Sequence, residues 1–500
     1  MKSSSRSLFQ LIHALSKEER SYVLRTAIHY RKSGKNILVQ LFKAMEQWKP
    51  EEYDEKELGK RIPNLSVRKN ELFETILRSL ADREDRNLAV VMLGKLRWAA
   101  ILHYKKLFPE AISLLNEVED WAKSENQLYI QGVILQYKTF FANSSLYKSL
   151  DINFETIGES MVSNARNILH ITEIYQQYLE VSKITRQSFL LRTEKDCKKV
   201  KVLIQSSTYN GDLTALPVSS QCFFHLSGSY LYKLKCSYDK AYDNAAQSWE
   251  LMHQSTLDFP LRRPQEYLIC FTAYVAACLD AKKTEQSKKW IGAYKHWIDE
   301  KYPGNLIVNG KFYCLYLAHH YLENGGVINP SILNEVKDFF LENKHTLDED
   351  VRRGLNYLLM IAFFGLGEFS VAWDYSQLIL NGNAMGPRKE LFDATRLVFL
   401  LVLFESNKFA ELEYYCMQLY GFARKKPKKE YELEKTMVKH FKRIAADANS
   451  SANHSLTLKK LSNDLQQLSE GDNLCAKQLL HQFDFMKWVQ QKIEGELKEV

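Results

Sequence analysis

The sequence predicts an all-α protein: a superhelical array of antiparallel helix pairs with a helical section at each end. Three observations predict it. Apolar residues recur at spacings of three and four almost throughout, whereas the apolar–polar alternation of a strand is hard to find. The polar turns between the apolar stretches are short, as between antiparallel neighbours. One turn pattern also returns several times along the middle of the 500-residue chain. An array accounts for the length as well, because one ordinary core does not grow to this size. The apolar fraction of 45% suffices for an extensive core, and a net charge of +8 with a pI near 8.8 permits an acidic partner without requiring one.

The elements follow in order. Residues 1–86 read as about five short helices. Ser16 and Glu19 make a capping box ahead of a helix near 17–32, and Gly34 is placed to end it. Residues 87–430 read as longer helices in pairs, with Pro109 and Pro264 at first helical positions. Residues 431–500 read as charged capping helices, finishing in "LLHQFDFMKWVQQKIEGELKEV". No Gly/Ser-rich linker separates the three sections, so one continuous body is expected.

The recurring turn carries the most information. It appears in "FFGLGEFSVAWDYS", "LYKLKCSYDKAYDNA", "HYKKLFPEAISLL" and "LFESNKFAELEYYC". Each ends one helix, sets an aromatic, and places a small or apolar residue three positions later. The pairs are Phe369/Ala372, Tyr238/Ala241, Phe108/Ala111 and Phe409/Leu412. Gly367 can take a left-handed turn without a steric penalty. An alanine lets the second helix approach the first closely, and Leu412 should hold its pair further apart. "CLDAKKTEQSKKWIGAY" is a weaker copy with Thr284 and Ser287.

These turns resemble the tetratricopeptide (TPR) pattern, L-G-x-x-Y followed by G-x-Y-x-x-A. The resemblance covers the hairpin turns within about 87–420, at a spacing of roughly 40–46 residues against 34 in the standard repeat. It implies a TPR-like α-solenoid, whose first helices line a concave face. Mapped that way, Tyr357, Ile361 and Phe364 line the face in one pair, Leu397, Leu401 and Phe404 in another, and Tyr230 and Lys233 in a third. Such a face suits an amphipathic helix or an extended apolar peptide. The same residues also read simply as core between tightly wound pairs. The Lys, Asn and Arg of a chaperone-type carboxylate clamp are missing from these positions. The opening "LFQLIHALSKEERSYV" is similar to openings of uncharacterised bacterial helical proteins, a resemblance that implies no activity.

The motifs of common catalysts are absent from the sequence. "GNLIVNGKF" at 304–312 is one residue too long for a phosphate loop and has Phe312 where Ser or Thr would hold magnesium. There is no GxGxxG, HExxH or GxSxG. His319 and His320 lie near Cys314, but 314 and 319 point away from one another on a helix. Asp348 and Asp350 sit where a helix start favours negative charge. The eight cysteines form no CxxC pair and fall within apolar helical patterns, which suits a reducing compartment. No apolar run approaches the ~20 residues of a membrane span.

Two basic features remain. "ARKKPKKE" gathers Arg424, Lys425, Lys426, Lys428 and Lys429, either as a solvated turn or as a docking site for acidic or phosphate groups. Residues 53–80 can be read as a helix-turn-helix with Arg68, Lys69 and Arg78 on its second helix, within a section of 18 basic and 13 acidic residues (1–86) that holds +5 of the chain's +8. Glu71 and Glu74 would face phosphate there, and a helical cap reads the same way. The expectation is therefore a cytoplasmic, non-enzymatic scaffold that binds a protein or peptide partner, with no cofactor, metal, small-molecule substrate or membrane insertion. The alternative is a transcription-related regulator with N-terminal DNA contact and a TPR-like sensor array.

Overall fold

The computed structural model describes residues 5–29, 37–48, 54–83, 88–142, 154–206, 212–255, 259–301, 304–384, 386–427, 429–447 and 451–498. These are almost entirely α-helical, with two short 3₁₀ turns and no strand among them. The helices pack as sequence neighbours. By backbone proximity the chain divides into two compact units, Met1–Val162 and Ser163–Val500, where the sequence had suggested one continuous body.

The first unit holds α1 (Ser5–Ala14), α2 (Lys17–His29), α3 (Ile37–Gln47), α4 (Glu55–Arg61), α5 (Leu65–Arg83), α6 (Leu88–Tyr104), α7 (Phe108–Ser124), α8 (Leu128–Ala142) and the start of α9 (Phe154–Gln187). Helices α1–α5 enclose their own core around Leu8, Ile12, Phe42, Leu58 and Ile76. The capping box forms: Glu19 N–H donates to Ser16 Oγ at 3.2 Å, and Ser16 N–H donates to Glu19 Oε2 at 2.7 Å. Gly34 lies outside the described residues. Helices α6–α8 form a second core around Met92, Leu115, Ile134 and Phe141.

The second unit continues with α10 (Glu194–Ser206) and then a solenoid-like run of five pairs. These are α11 (Val218–Leu234) with α12 (Tyr238–Gln254); after the short α13 (Phe259–Arg262), α14 (Pro264–Asp280) with α15 (Thr284–Lys301); α16 (Leu306–Glu323) with α17 (Pro330–Asn343); α18 (Glu349–Gly365) with α19 (Phe369–Leu380); and α20 (Lys389–Glu405) with α21 (Phe409–Ala423). Then come α22 (Glu432–Ala446), α23 (Ser451–Glu470), α24 (Leu474–Gln482) and α25 (Phe485–Lys498).

All five pairs turn in the same way. A left-handed residue ends the first helix: Cys236, Lys282, Gly325, Gly367 and Asn407, so successive turns lie 46, 43, 42 and 40 residues apart. At Gly367 the next amide, Glu368 N–H, donates back to Phe363 O at 2.9 Å, closing the helix end as a Schellman turn. Ser237→Tyr232, Lys283→Cys278, Gly326→Tyr321 and Lys408→Leu403 repeat that bond at 2.7–3.0 Å. The first unit repeats it at Lys106 and Asn126. Glycine is therefore not what the turn demands, since five of these seven positions carry a side chain. Gly367 takes φ +80, where a Cβ would meet nothing but its own backbone strain. Gly365 is small for a different reason: a Cβ there would strike the Gly326 carbonyl of the preceding pair's turn.

In three pairs the residue five places after the left-handed position is an alanine, and those pairs close most tightly. Ala111, Ala241 and Ala372 are buried, and their pairs have the most extensive close backbone approach. With Leu412 or Ser287 at that position, α20–α21 and α14–α15 approach over a shorter stretch. A methyl group admits the facing backbone and a leucine holds it off, whereas the bulk of Ser287 does not account for the looser α14–α15 pair.

Candidate partner-binding surface

The first helices α18 and α20 are buried on nearly all sides. Tyr357, Ile361, Phe364, Leu397 and Leu401 are core residues, and Phe404 is half-buried beside them. Tyr230 and Leu474 pack against the same core of Val181, Leu231 and Leu234, and the Tyr230 ring meets Phe189 edge-on at 6.4 Å. Lys233 pairs with Asp280 at 2.5 Å and lies over the Phe189 ring. The mapped positions therefore do not line an open groove.

The chain itself covers this face. Helices α24 and α25 bond to residues on or near the first helices of several pairs. Gln478 spans two elements: its Nε2 donates to Leu234 O at 2.7 Å, and its Oε1 accepts from Leu191 N–H at 2.8 Å. The His481 ring stacks on Tyr238 at 3.9 Å and reaches Asp280 at 3.4 Å. Tyr357 Oη–H donates to Gln482 O at 2.9 Å, and Phe483 meets Phe364 edge-on. Lys487 donates to Gly325 O at 2.6 Å. Trp488 Nε1–H donates to Glu405 Oε1 at 2.7 Å, while Lys492 pairs with Glu405 Oε2. All five pairs are touched, the fourth before the third. Burial pushes the Asp280 carboxyl up, but Lys233 and His481 outweigh it and hold it down at about 2.

A second strap crosses the same unit. The loop after α9 inserts Arg192, which donates to Asp393 Oδ2 at 2.8 Å, Glu434 Oε1 at 2.7 Å and Glu430 O at 2.7 Å. Its guanidinium also lies over the Tyr431 ring at 4.1 Å. Burial opposes the charge on Arg192, but Glu434 and Asp393 overcome that and raise its pKa. Burial raises Glu434, whereas Arg192 and Lys389 overcome burial at Asp393 and hold it low. Phe189 N–H donates to Glu390 Oε2 at 3.3 Å. These bonds tie the start of the unit to α20 and α22, over 200 residues later. Sequence reasoning missed Arg192 and Gln478 because neither belongs to a motif. The one available signal was "RLVFLLVLF" in α20, apolar all round, which marks a helix buried on every side.

The other sequence-derived candidates are scattered. Arg424, Lys425, Lys426 and Lys429 are exposed in the turn after α21, which Lys435 Nζ fixes by donating to Lys426 O at 3.0 Å. Lys428 lies outside the described residues. In the first unit α4, a turn at Asn64 and α5 form as expected. However, Lys69 is 5% exposed and pairs with Glu55, and Arg68 pairs with Glu71 at 2.7 Å. Arg78 is exposed and pairs with Glu74.

His319, His320 and Glu323 bring ligand atoms within 4.8 Å of one another, without Cys314. Lys288 already holds Glu323 at 2.7 Å, and Ser287 Oγ bonds His319 Nδ1 at 2.8 Å. The ammonium opposes a dication there. A cleft of about 780 Å³ among α10, α22 and α23 is lined by Glu194, Lys198, Lys429, Glu432 and Asp464. Glu432 is held by Asn473 at 2.9 Å, and Asp464 by His440 at 2.8 Å and Lys439 at 3.3 Å.

The second helices differ. On α21, Tyr414, Met417 and Tyr420 are 61%, 50% and 51% exposed, and Leu378 on α19 is 57% exposed. No helix among the described residues is long and apolar enough to cross a membrane. No protein-family model, curated protein or solved structure matches the chain.

Proposed function

We propose that the chain is a non-enzymatic interaction scaffold that binds a protein partner on the outer side of a TPR-like array. The exposed Tyr414, Met417 and Tyr420 of α21 carry this reading. Large apolar side chains clustered on one exposed helix face favour association, because covering them removes apolar surface from water. The inner face, where a TPR array would take a peptide, is filled by the chain's own α24 and α25. The TPR-like reading is supported by the repeated left-handed turn, with a buried residue five places on in four of the five pairs. A cytoplasmic location is supported by eight free cysteines, as expected where thiols stay reduced. A partner should co-elute with the chain at constant stoichiometry from cells that carry it. A Tyr414→Asp/Met417→Asp/Tyr420→Asp chain should then elute alone with its melting temperature unchanged. Co-elution that survives the triple substitution would refute the outer-face reading, and elution of the unaltered chain alone at about 58 kDa would refute the scaffold reading.

A further inference from the structure

Beside that exposed face lies a cleft of about 340 Å³ between α19, α20 and α21. Phe392, Phe399, Tyr415 and Phe422 supply its aromatic walls, and Gln377, Asn381 and Gln418 supply amides. Arg396 sits among them. Its guanidinium lies between two rings, 4.7 Å from Phe392 and 4.5 Å from Phe422. Stacking of this kind holds the plane rigid and leaves its edge donors free to meet a carboxylate in a bidentate fashion.

The charge of Arg396 is poorly compensated. It pairs with Asp393, at 3.4 Å. The same carboxylate takes Arg192 at 2.8 Å and Lys389 at 2.6 Å, both closer. Three cations thus share one aspartate, and Arg192 alone also has Glu434. Arg396 makes its one hydrogen bond among the described residues to Asp393 and is left with most of its five donors. Beside it, burial raises the Tyr415 hydroxyl and keeps it a neutral donor. Beyond Phe422 the chain runs directly into exposed Arg424, Lys425 and Lys426. The field at this end of the cleft is therefore positive, over apolar walls, with amides suited to a peptide backbone.

We propose that this cleft binds an acidic peptide segment, an Asp or Glu flanked by an apolar side chain. The carboxylate pairs with the edge of Arg396, the apolar neighbour lies between Phe399 and Phe422, and Arg424, Lys425 and Lys426 attract further acidic residues. This rests on the scaffold reading and gives its partner a chemistry. The test uses the full chain and a random 12-residue peptide library, followed by fluorescence anisotropy of the selected peptides. The expected winners carry Asp or Glu beside Leu, Ile or Phe. Arg396→Gln should weaken them at least tenfold, Arg396→Lys less, and Phe422→Ala several-fold. Replacing the peptide's acid by its amide should add nothing to Arg396→Gln, the mark of a direct pair. Binding should weaken with added salt. Melting temperature checks that Arg396→Gln folds, and the cleft-wall variant Phe422→Ala keeps the test available if it does not. Winners without acids, affinities that change less than twofold on Arg396→Gln, or selective binding of a single-stranded oligonucleotide here would overturn the proposal. Peptides that bind elsewhere would overturn this site and leave the scaffold reading standing.

Discussion

The first and second helices of the array share a turn geometry but have opposite fates. Helix α20 has 13 buried residues and α18 has 12, whereas α21 and α19 have four each. A helix on one side of a two-layer array would be half exposed. Helices α18 and α20 are not, because they have second helices on one side and residues of α24–α25 on the other. The second helices keep an ordinary amphipathic division. The difference teaches that the layer which looks most like a ligand-binding face is a core, and that accessible apolar chemistry lies on the outer layer.

Substitutions can break this comparison. The largest effect is expected from Trp488→Ala, which empties a core position on α25 and removes one of the two partners of Glu405, leaving Lys492. A loss of ~3–5 kcal/mol in urea unfolding is expected, against less than ~0.5 kcal/mol for Tyr414→Ala on the outer face. Equal costs would erase the distinction between layers. Arg192→Met should cost a comparable ~3–5 kcal/mol, because it strands Glu434 and part of Asp393 in a buried site. A loss below ~1 kcal/mol would mean that the 188–193 strap does not tie the unit together.

Acid sharpens the same contact. Asp280 is depressed to about 2 by Lys233 and His481, from an unfolded value near 4. Its stabilisation is complete above pH ~4 and is lost as pH falls toward 2, amounting to about 2 kcal/mol. Asp280→Asn should therefore flatten the pH–stability curve between 4 and 2, and an unchanged slope would deny the pairing with α24. Smaller still are the turns. Gly367→Ala should cost ~1 kcal/mol through its positive φ, while Lys282→Gly should gain a few tenths, because glycine also frees the unfolded chain. Calorimetric melting would read both.

Much of the fold was legible because it is local. Capping box, helix-start prolines and the turns at 236, 282, 367 and 407 follow from neighbours within a few residues. Ala372 and Leu412 even foretold which pair closes more tightly. What escaped was long-range. Nothing near Gln478 announces that it will bond Leu191 and Leu234, and the periodicity of α18 distinguishes a groove from a core only if one knows what lies opposite. The mapped groove residues were thus placed on the correct helices, but their exposure depended on a segment more than 70 residues away. The Arg396 cleft escaped for the same reason, since its walls come from three helices.

Hydrogen exchange on the intact chain tests the sealed inner layer most directly. Amides of α24 and α25 should exchange only with global unfolding, together with those of α18 and α20 and more slowly than those at the exposed ends of α21. Exchange of 474–498 ahead of the array, as a separately opening unit, would contradict the account and return the inner face to the set of accessible surfaces.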